Sequence, residues 1–200
     1  MADQLPVIDT KRAMQVLSGK APKYLPADSI RAMIDYETGR HHDRYKLIFA
    51  LLWHTGCRIG ELLDLHRSDI DFYNSLVRIR TEKAKGDERM VYVDKALLND
   101  LAGWLERNKI GTDDPIFDLT QTAVYMAVRK VATALELPKF THTHTFRHSF
   151  AVNYLLSGGD LISLKTILGH RRIETTMRYL LITKADSMRH LQEMGERGLF

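Results

Sequence analysis

The hydrophobic pattern of this chain changes its period once, between residues 68 and 93. The run SLVRIRTEK alternates apolar and polar residues, and the run RMVYV alternates again after a KGDE turn. Alternation is typical of half-buried strands, so these runs predict two strands joined by a turn, with residues 69–72 as a candidate third strand. Because this segment interrupts an otherwise helical pattern, we predict a mainly α fold with a small antiparallel β-sheet, an α+β architecture.

The helices are predicted from apolar spacing and from the residues at their ends. Residues 42–55 are apolar on nearly every face, which indicates a buried helix, and Gly56 follows as a terminating glycine. Two later helices are expected to begin directly after capping residues, Asp94 and Thr120.

The composition limits the class of protein. Two hundred residues, 44% hydrophobic and 27% charged, suffice for one globular domain with a proper core. No apolar run approaches the roughly 20 residues of a membrane span, and the first residues do not resemble a secretory signal. The one cysteine, Cys57, excludes an internal disulfide and favours a reducing compartment. We therefore expect a cytoplasmic protein without a membrane partner, and its net charge of +4 permits binding to nucleic acid.

Side chains suited to catalysis are concentrated between residues 144 and 179. His144 and Arg147 are three positions apart, so they share one face of a helix. His170 follows a Leu-Gly turn, and Tyr179 comes nine residues later in a polar helical stretch where packing does not require an aromatic ring. Two proton carriers, a fixed cation and a phenol are a suitable set for phosphoryl transfer.

Arg58 adds a second fixed cation. It lies in the run HTGCRIGELLDL, between the end of the buried helix and the start of a short one. Such a position lets a side chain project from a rigid base. Glu61 follows one helical turn later, so Arg58 is either a functional cation oriented by Glu61 or a surface side chain in an ion pair of small energy.

The same region allows two other interpretations. His142, His144 and His148 are spaced closely enough to suggest zinc, but no cysteine pair or HExxH run completes a recognised set of ligands. The two helices on either side of the Gly158-Gly159 pair could also form a helix-turn-helix DNA reader.

Taken in order, these residues resemble the pattern of the tyrosine recombinases, also called phage integrases. That pattern has an arginine in a TGxRxxE-type turn, a lysine on a hairpin, an HxxRH run, an LGH run, and a tyrosine nine residues after the LGH histidine. This chain has TGCRIGE, HTFRH and LGH in that order, followed by Tyr179. The resemblance covers roughly residues 25–185.

The resemblance implies a domain organisation. Residues 25–183 form a tyrosine recombinase catalytic domain, and residues 1–24 form an N-terminal tail. Residues 184–200 form a C-terminal helix or tail that packs on its own domain or docks on a neighbouring protomer.

The resemblance also assigns catalytic roles to Arg58, Lys85, His144, Arg147, His170 and Tyr179. The two arginines bind the non-bridging oxygens of a phosphate that Tyr179 attacks. His144 acts as acid or base, and His170 donates a hydrogen bond to a phosphate oxygen. Lys85, with Lys83 as its rival on the hairpin, protonates the leaving 5′ oxygen.

Four further residues receive supporting roles, and no metal or cofactor is required. Glu61 orients Arg58, and His148 hydrogen-bonds within the fold. Arg171 and Arg172 are placed to contact DNA phosphates.

The implied function is that of a site-specific DNA recombinase, which cleaves and rejoins strands through a 3′-phosphotyrosyl intermediate. Its partners are double-stranded DNA and further copies of the chain, four of them when two sites are paired. The alternatives are a non-catalytic DNA-binding accessory protein with the same fold, a type IB topoisomerase and, with least support, a metal-dependent nuclease.

Overall fold

The computed structural model describes residue 16 and residues 19–81 and 88–182. The chain divides into two compact units. The first unit comprises residues 23–150 and 167–169, and the second comprises residues 1–22, 151–166 and 170–200.

The described residues form helices and one small sheet. The helices are α1 (Ala27–Asp35), α2 (His42–Thr55), α3 (Ile59–Leu63), α4 (Lys95–Arg107), α5 (Gln121–Ala134), α6 (Thr143–Leu156), α7 (Leu161–Leu168) and α8 (Ile173–Met177). The strands are β1 (Ile70–Asp71), β2 (Leu76–Arg80) and β3 (Glu88–Tyr92), and a 3₁₀ turn at Arg67–Asp69 precedes the first of them. The predicted α+β class is therefore confirmed.

The sheet has the order β1-β2-β3, with both neighbouring pairs antiparallel. Val77 pairs with Val91 and Ile79 pairs with Arg89, so these four side chains lie on one face of the sheet. All four are buried. The alternation in the sequence thus arises because one face of the sheet is buried. The exception is Arg89, a charged residue on that buried face.

The turn after α2 fixes the backbone that leads to Arg58. Gly56 adopts the left-handed conformation, with φ of 59°, and its amide donates to the carbonyl of Leu52 at 3.1 Å. A Cβ at this position would lie 2.5 Å from a ring carbon of Phe150, so both the conformation and the space require glycine. The prediction that Gly56 terminates the buried helix is confirmed.

The core of the first unit is built on α2 and the helices that pack around it. Helix α2 buries residues on several faces, including Leu47, Phe49 and Leu52. The ring of Phe49 lies 5.4 Å from that of Phe146 on α6, which ties the helix of the HxxR run to this core. Asp94 and Thr120 cap α4 and α5 through their side-chain oxygens, as predicted.

The second unit contains the chain on either side of the 167–169 segment. Asp160 accepts hydrogen bonds from the amides of Ile162 and Ser163 at 2.9 and 2.8 Å, which caps the start of α7. The amide of His170 donates to the carbonyl of Lys165 at 3.0 Å. None of the helices in the described ranges is long and apolar enough to cross a membrane.

Three sequence predictions concern residues that lie outside the described part of the chain. They are the hairpin lysines Lys83 and Lys85, most of the N-terminal tail, and the C-terminal segment from residue 184.

Candidate active site

Arg58 occupies the N-cap position of α3, two residues after the Gly56 turn. Its backbone is extended, with φ of −78° and ψ of 153°, and its own amide donates to Glu61 Oε2 at 3.0 Å. The guanidinium Nη1 donates to Glu61 Oε1 at 2.7 Å, while 30% of the side chain stays exposed. The predicted pair with Glu61 is therefore present, and Arg58 keeps a surface from which it can reach a ligand.

Glu61 is a buried carboxylate shared by two arginines. Its side chain is 0% exposed, and Oε2 also accepts from Arg89 Nη2 at 2.7 Å. Burial alone raises the pKa of Glu61, but the hydrogen bond and charge of Arg89 and the hydrogen bonds from Arg58 outweigh burial and lower that pKa below its ordinary value. The carboxylate is therefore charged at neutral pH.

Arg89 was not singled out from the sequence. Its side chain is 6% exposed, and besides Glu61 it contacts the carbonyl oxygen of Ile167, to which Nε donates at 2.6 Å. The alternating run suggested that charged residues face solvent. However, Arg89 has the same parity as the apolar Val91, and this signal in the sequence places it on the buried face.

Arg147 is 4% exposed and is held by main-chain carbonyls. Nη1 donates to the carbonyl of Gly56 at 2.8 Å, and Nη2 donates to the carbonyl of Leu168 at 2.7 Å. Gly56 lies at the C-terminal end of α2, where the helix dipole favours a positive charge. These contacts hold the guanidinium of Arg147 at the carbonyl of Gly56, which is two residues before Arg58 in the chain.

His144 lies one turn before Arg147 on α6, as predicted, and its side chain is exposed. Partial loss of hydration lowers the pKa of His144, and His142 and the positive charges of Arg147 and Arg58 lower it further. The amide of His144 also donates to Nδ1 of His142 at 3.2 Å. His144 is therefore a neutral imidazole at pH 7, able to accept a proton.

Cys57 and His148 are next to Arg58 and Arg147 in the chain, and they are buried and partly buried, respectively. Cys57 is 1% exposed, and burial raises the pKa of its thiol to about 11, so it is an unreactive filler of the core. His148 is partly buried on α6. No group of three or more His, Cys, Asp or Glu side chains within the described ranges is arranged to hold a metal ion.

In the second unit, Thr176 of α8 contacts both His170 and Tyr179. His170 is 9% exposed, and its Nδ1 lies 2.8 Å from Thr176 Oγ1. The amide of Tyr179 donates to the carbonyl of Thr176 at 3.1 Å. Arg171 and Arg172 are both exposed, and Arg172 occupies the N-cap position of α8.

One interpretation of Tyr179 is wrong. The sequence suggested a polar helix in which packing does not require the ring, but Tyr179 is 1% exposed and lies two residues beyond the end of α8. Helix α8 ends at Met177, so the prediction of a polar helix does not apply to residue 179. A phenol buried in this way must become accessible before it can attack a substrate.

The model of the phage integrase family matches residues 23–186, so this chain belongs to that family, whose members include tyrosine recombinases. The tyrosine recombinase XerC of Chromobacterium violaceum is 33% identical over 167 residues, which are 79% of this chain and 55% of the relative.

Solved recombinase structures have the same fold. The crystal structure of XerA recombinase matches with a TM-score of 0.72 and 25% identity, covering 86% of this chain and 66% of that one. The post-cleavage complex of XerH with a palindromic difH substrate matches with a TM-score of 0.72 and 26% identity, covering 88% of this chain and 53% of that one. The chain thus spans between about half and two thirds of the length of these proteins.

Proposed function

We propose that this chain carries the catalytic domain of a site-specific DNA recombinase, which cleaves and rejoins strands through Tyr179. The observation that carries the proposal is the arrangement of Arg58, Arg147 and His144 around the Gly56 turn. Two cations are anchored there beside a neutral imidazole, in a chain of the phage integrase family.

The arginines supply the electrostatic part of the proposed reaction. A phosphodiester resists attack because its oxygens are negative and more charge develops on them in the transition state. Arg58 and Arg147 bind the two non-bridging oxygens and offset that charge. Arg58 is 30% exposed and already oriented by Glu61, so its side chain needs little reorganisation when DNA binds. Arg147 is oriented by two main-chain carbonyls.

Proton transfer is assigned to three side chains. His144, neutral at pH 7, acts as the acid or base in proton exchange with the phenol. Lys85 protonates the leaving 5′ oxygen, and His170 donates a hydrogen bond to a phosphate oxygen. Glu61 holds Arg58, and His148 supports helix α6.

Tyr179 is the proposed nucleophile. Its oxygen attacks phosphorus, the bond to the 5′ oxygen breaks, and that oxygen takes a proton, which leaves a 3′-phosphotyrosyl ester and a free 5′ hydroxyl. The ester conserves the energy of the phosphodiester, so attack by another 5′ hydroxyl rejoins DNA without a nucleotide cofactor.

The proposed partner is double-stranded DNA. The net charge is +4, Arg171 and Arg172 are exposed, and one structural neighbour is a recombinase bound to its DNA substrate. Strand exchange between two sites requires several active sites at once. We therefore propose that the chain acts as a homo-oligomer on DNA, with four copies on a pair of sites.

The test is covalent capture. Duplexes that bind the protein are first selected from a randomised pool and then nicked next to the scissile position, so that the short 5′ fragment diffuses away. We expect a protein–DNA band that survives denaturing detergent and is lost in Tyr179→Phe, which removes only the nucleophilic oxygen. Binding of DNA by Tyr179→Phe should stay within about twofold, because the ring is retained.

One observation favours a second function. The burial of Tyr179 is also what a non-catalytic DNA-binding protein of this fold would show. An unsubstituted chain that binds selected DNA but forms no covalent band would support that function. An adduct that relaxes supercoiled DNA without exchanging strands would instead indicate a topoisomerase.

A further inference from the structure

Arg89 has no role in the chemistry proposed above, yet its buried guanidinium joins two segments next to proposed catalytic residues. Nη2 donates to Glu61 Oε2 at 2.7 Å, and Nε donates to the carbonyl of Ile167 at 2.6 Å. Arg89 therefore links strand β3 both to the carboxylate that holds Arg58 and to the backbone that precedes His170 in the chain.

The 167–169 segment approaches this guanidinium closely. Gly169 has φ of 64°, and a Cβ at that position would lie 2.8 Å from Arg89 Nη1. Nη1 is buried without a hydrogen-bond partner among the residues that the structure describes. The packing of Gly169 against the guanidinium thus adds to the hydrogen bond at Ile167, and both restrict the backbone of the segment.

The contact between Arg89 and Glu61 restricts the side chain of Arg58 in a similar way. Arg58 Nη1 binds Oε1 of Glu61, while Arg89 binds Oε2. A carboxylate held at both oxygens cannot rotate without breaking a charge-assisted hydrogen bond. Because Arg89 is 6% exposed and Arg58 is 30% exposed, Arg89 is the more firmly packed of the two arginines.

We propose that Arg89 is a positioning residue for DNA cleavage. It fixes Glu61, and through Glu61 it fixes Arg58, while it holds the 167–169 segment that leads to His170. The inference rests on the proposed function. It depends on the planar fork of arginine, because the single ammonium of a lysine cannot reach two acceptors with the same geometry.

Arg89→Lys is the variant that tests this role, and Arg78→Lys is its matched control. Arg78 makes a similar pair of contacts elsewhere in the sheet, since Nε donates to the buried Asp69 at 3.0 Å and Nη2 to the carbonyl of Ser68 at 3.5 Å. Both variants keep the charge. The rate of covalent adduct formation is measured at saturating DNA, together with the Kd for DNA and the urea unfolding curve.

We expect Arg89→Lys to cleave about 10- to 100-fold more slowly, since a small displacement of catalytic groups has effects of this size. Its Kd should stay within about twofold, and Arg78→Lys should cleave like the unsubstituted chain. Glu61→Gln provides a second readout. If Arg89 acts through Glu61, the double variant should lose less activity than the product of the two single losses.

Rates are taken below the unfolding midpoint of each variant, and Arg89→Gln serves as a second substitution. Cleavage by a folded Arg89 variant at the unsubstituted rate, or strictly multiplicative losses, would overturn the inference. Failure of both Arg89 variants to fold would show that the residue is structural, which also overturns it. No adduct from the unsubstituted chain would instead count against the proposed function.

Discussion

Two buried carboxylates in the first unit have nearly the same chemistry but different surroundings. Glu61 binds Arg58 and Arg89, and Asp69 binds Arg78 and Arg80. Both carboxylates are 0% exposed, and each accepts the amide of the residue that caps its own helical turn. They differ in what the arginines connect.

The Asp69 cluster is local. Its arginines are neighbours on strand β2, 37% and 41% exposed, and they can exchange the carboxylate for water. The Glu61 cluster joins segments that are distant in sequence, and its Arg89 is 6% exposed. The same ion-pair chemistry therefore links the turn before β1 to strand β2 in the first case. In the second case it orients Arg58, whose side chain stays 30% exposed.

The largest expected effect is on catalysis. Arg58→Ala and Arg147→Ala should each slow adduct formation by about 10²- to 10³-fold, because each removes an oriented donor to the developing charge. Arg78→Ala removes an arginine of the Asp69 cluster and should cleave within about threefold of the unsubstituted rate. Single-turnover kinetics on the nicked substrate measure all three, and equal losses would remove the distinction between the clusters.

The second expected effect is on stability. Glu61→Gln leaves the guanidinium of Arg89 buried without its counter-charge, which should cost about 3–5 kcal/mol of the free energy of unfolding. Asp69→Asn leaves two arginines that already reach solvent, so it should cost about 1–2 kcal/mol. Urea titration of both variants tests this order. A larger loss for Asp69→Asn would show that exposure of the arginines does not decide the cost.

The features that the sequence could predict are those that depend on residues close together in the chain. Local signals gave the α+β class, the bounds of α2, the Gly56 turn and the pair of Arg58 with Glu61, since each depends on residues close in the chain. The role of Arg89 was missed because its partners are 28 and 78 residues away. No local pattern contains a contact over such a separation.

The burial of Tyr179 likewise could not be predicted from the local sequence. Its spacing from His170 could be read from the sequence, but the burial of its side chain depends on tertiary packing that the polar residues before it did not reveal. Spacing therefore makes Tyr179 a candidate, and packing determines whether its phenol is accessible.

The third expected effect is on the pH dependence of stability. Since the pKa of Glu61 is lowered in the folded protein, its contribution is fully present above the pKa of the unfolded chain, about 4.3, and is lost as pH falls through the folded value. The difference in the free energy of unfolding between the unsubstituted chain and Glu61→Gln should therefore shrink between about pH 5 and pH 3. Urea titrations at several pH values measure it, and a constant difference would contradict the lowered pKa.

The smallest expected effect concerns exposed arginines that belong to neither cluster. If Arg171 and Arg172 contact only phosphates, replacing both with alanine should reduce the slope of log Kobs against log salt by about 2, to a similar extent on selected and random DNA. The matched control replaces Arg31 and Arg107, which form ion pairs on the surface and are 67% and 63% exposed. This control removes the same charge, so any effect of net charge alone is common to both variants. An equal change of slope in the two variants would show that Arg171 and Arg172 act only through net charge, and a loss confined to selected DNA would show that they read sequence.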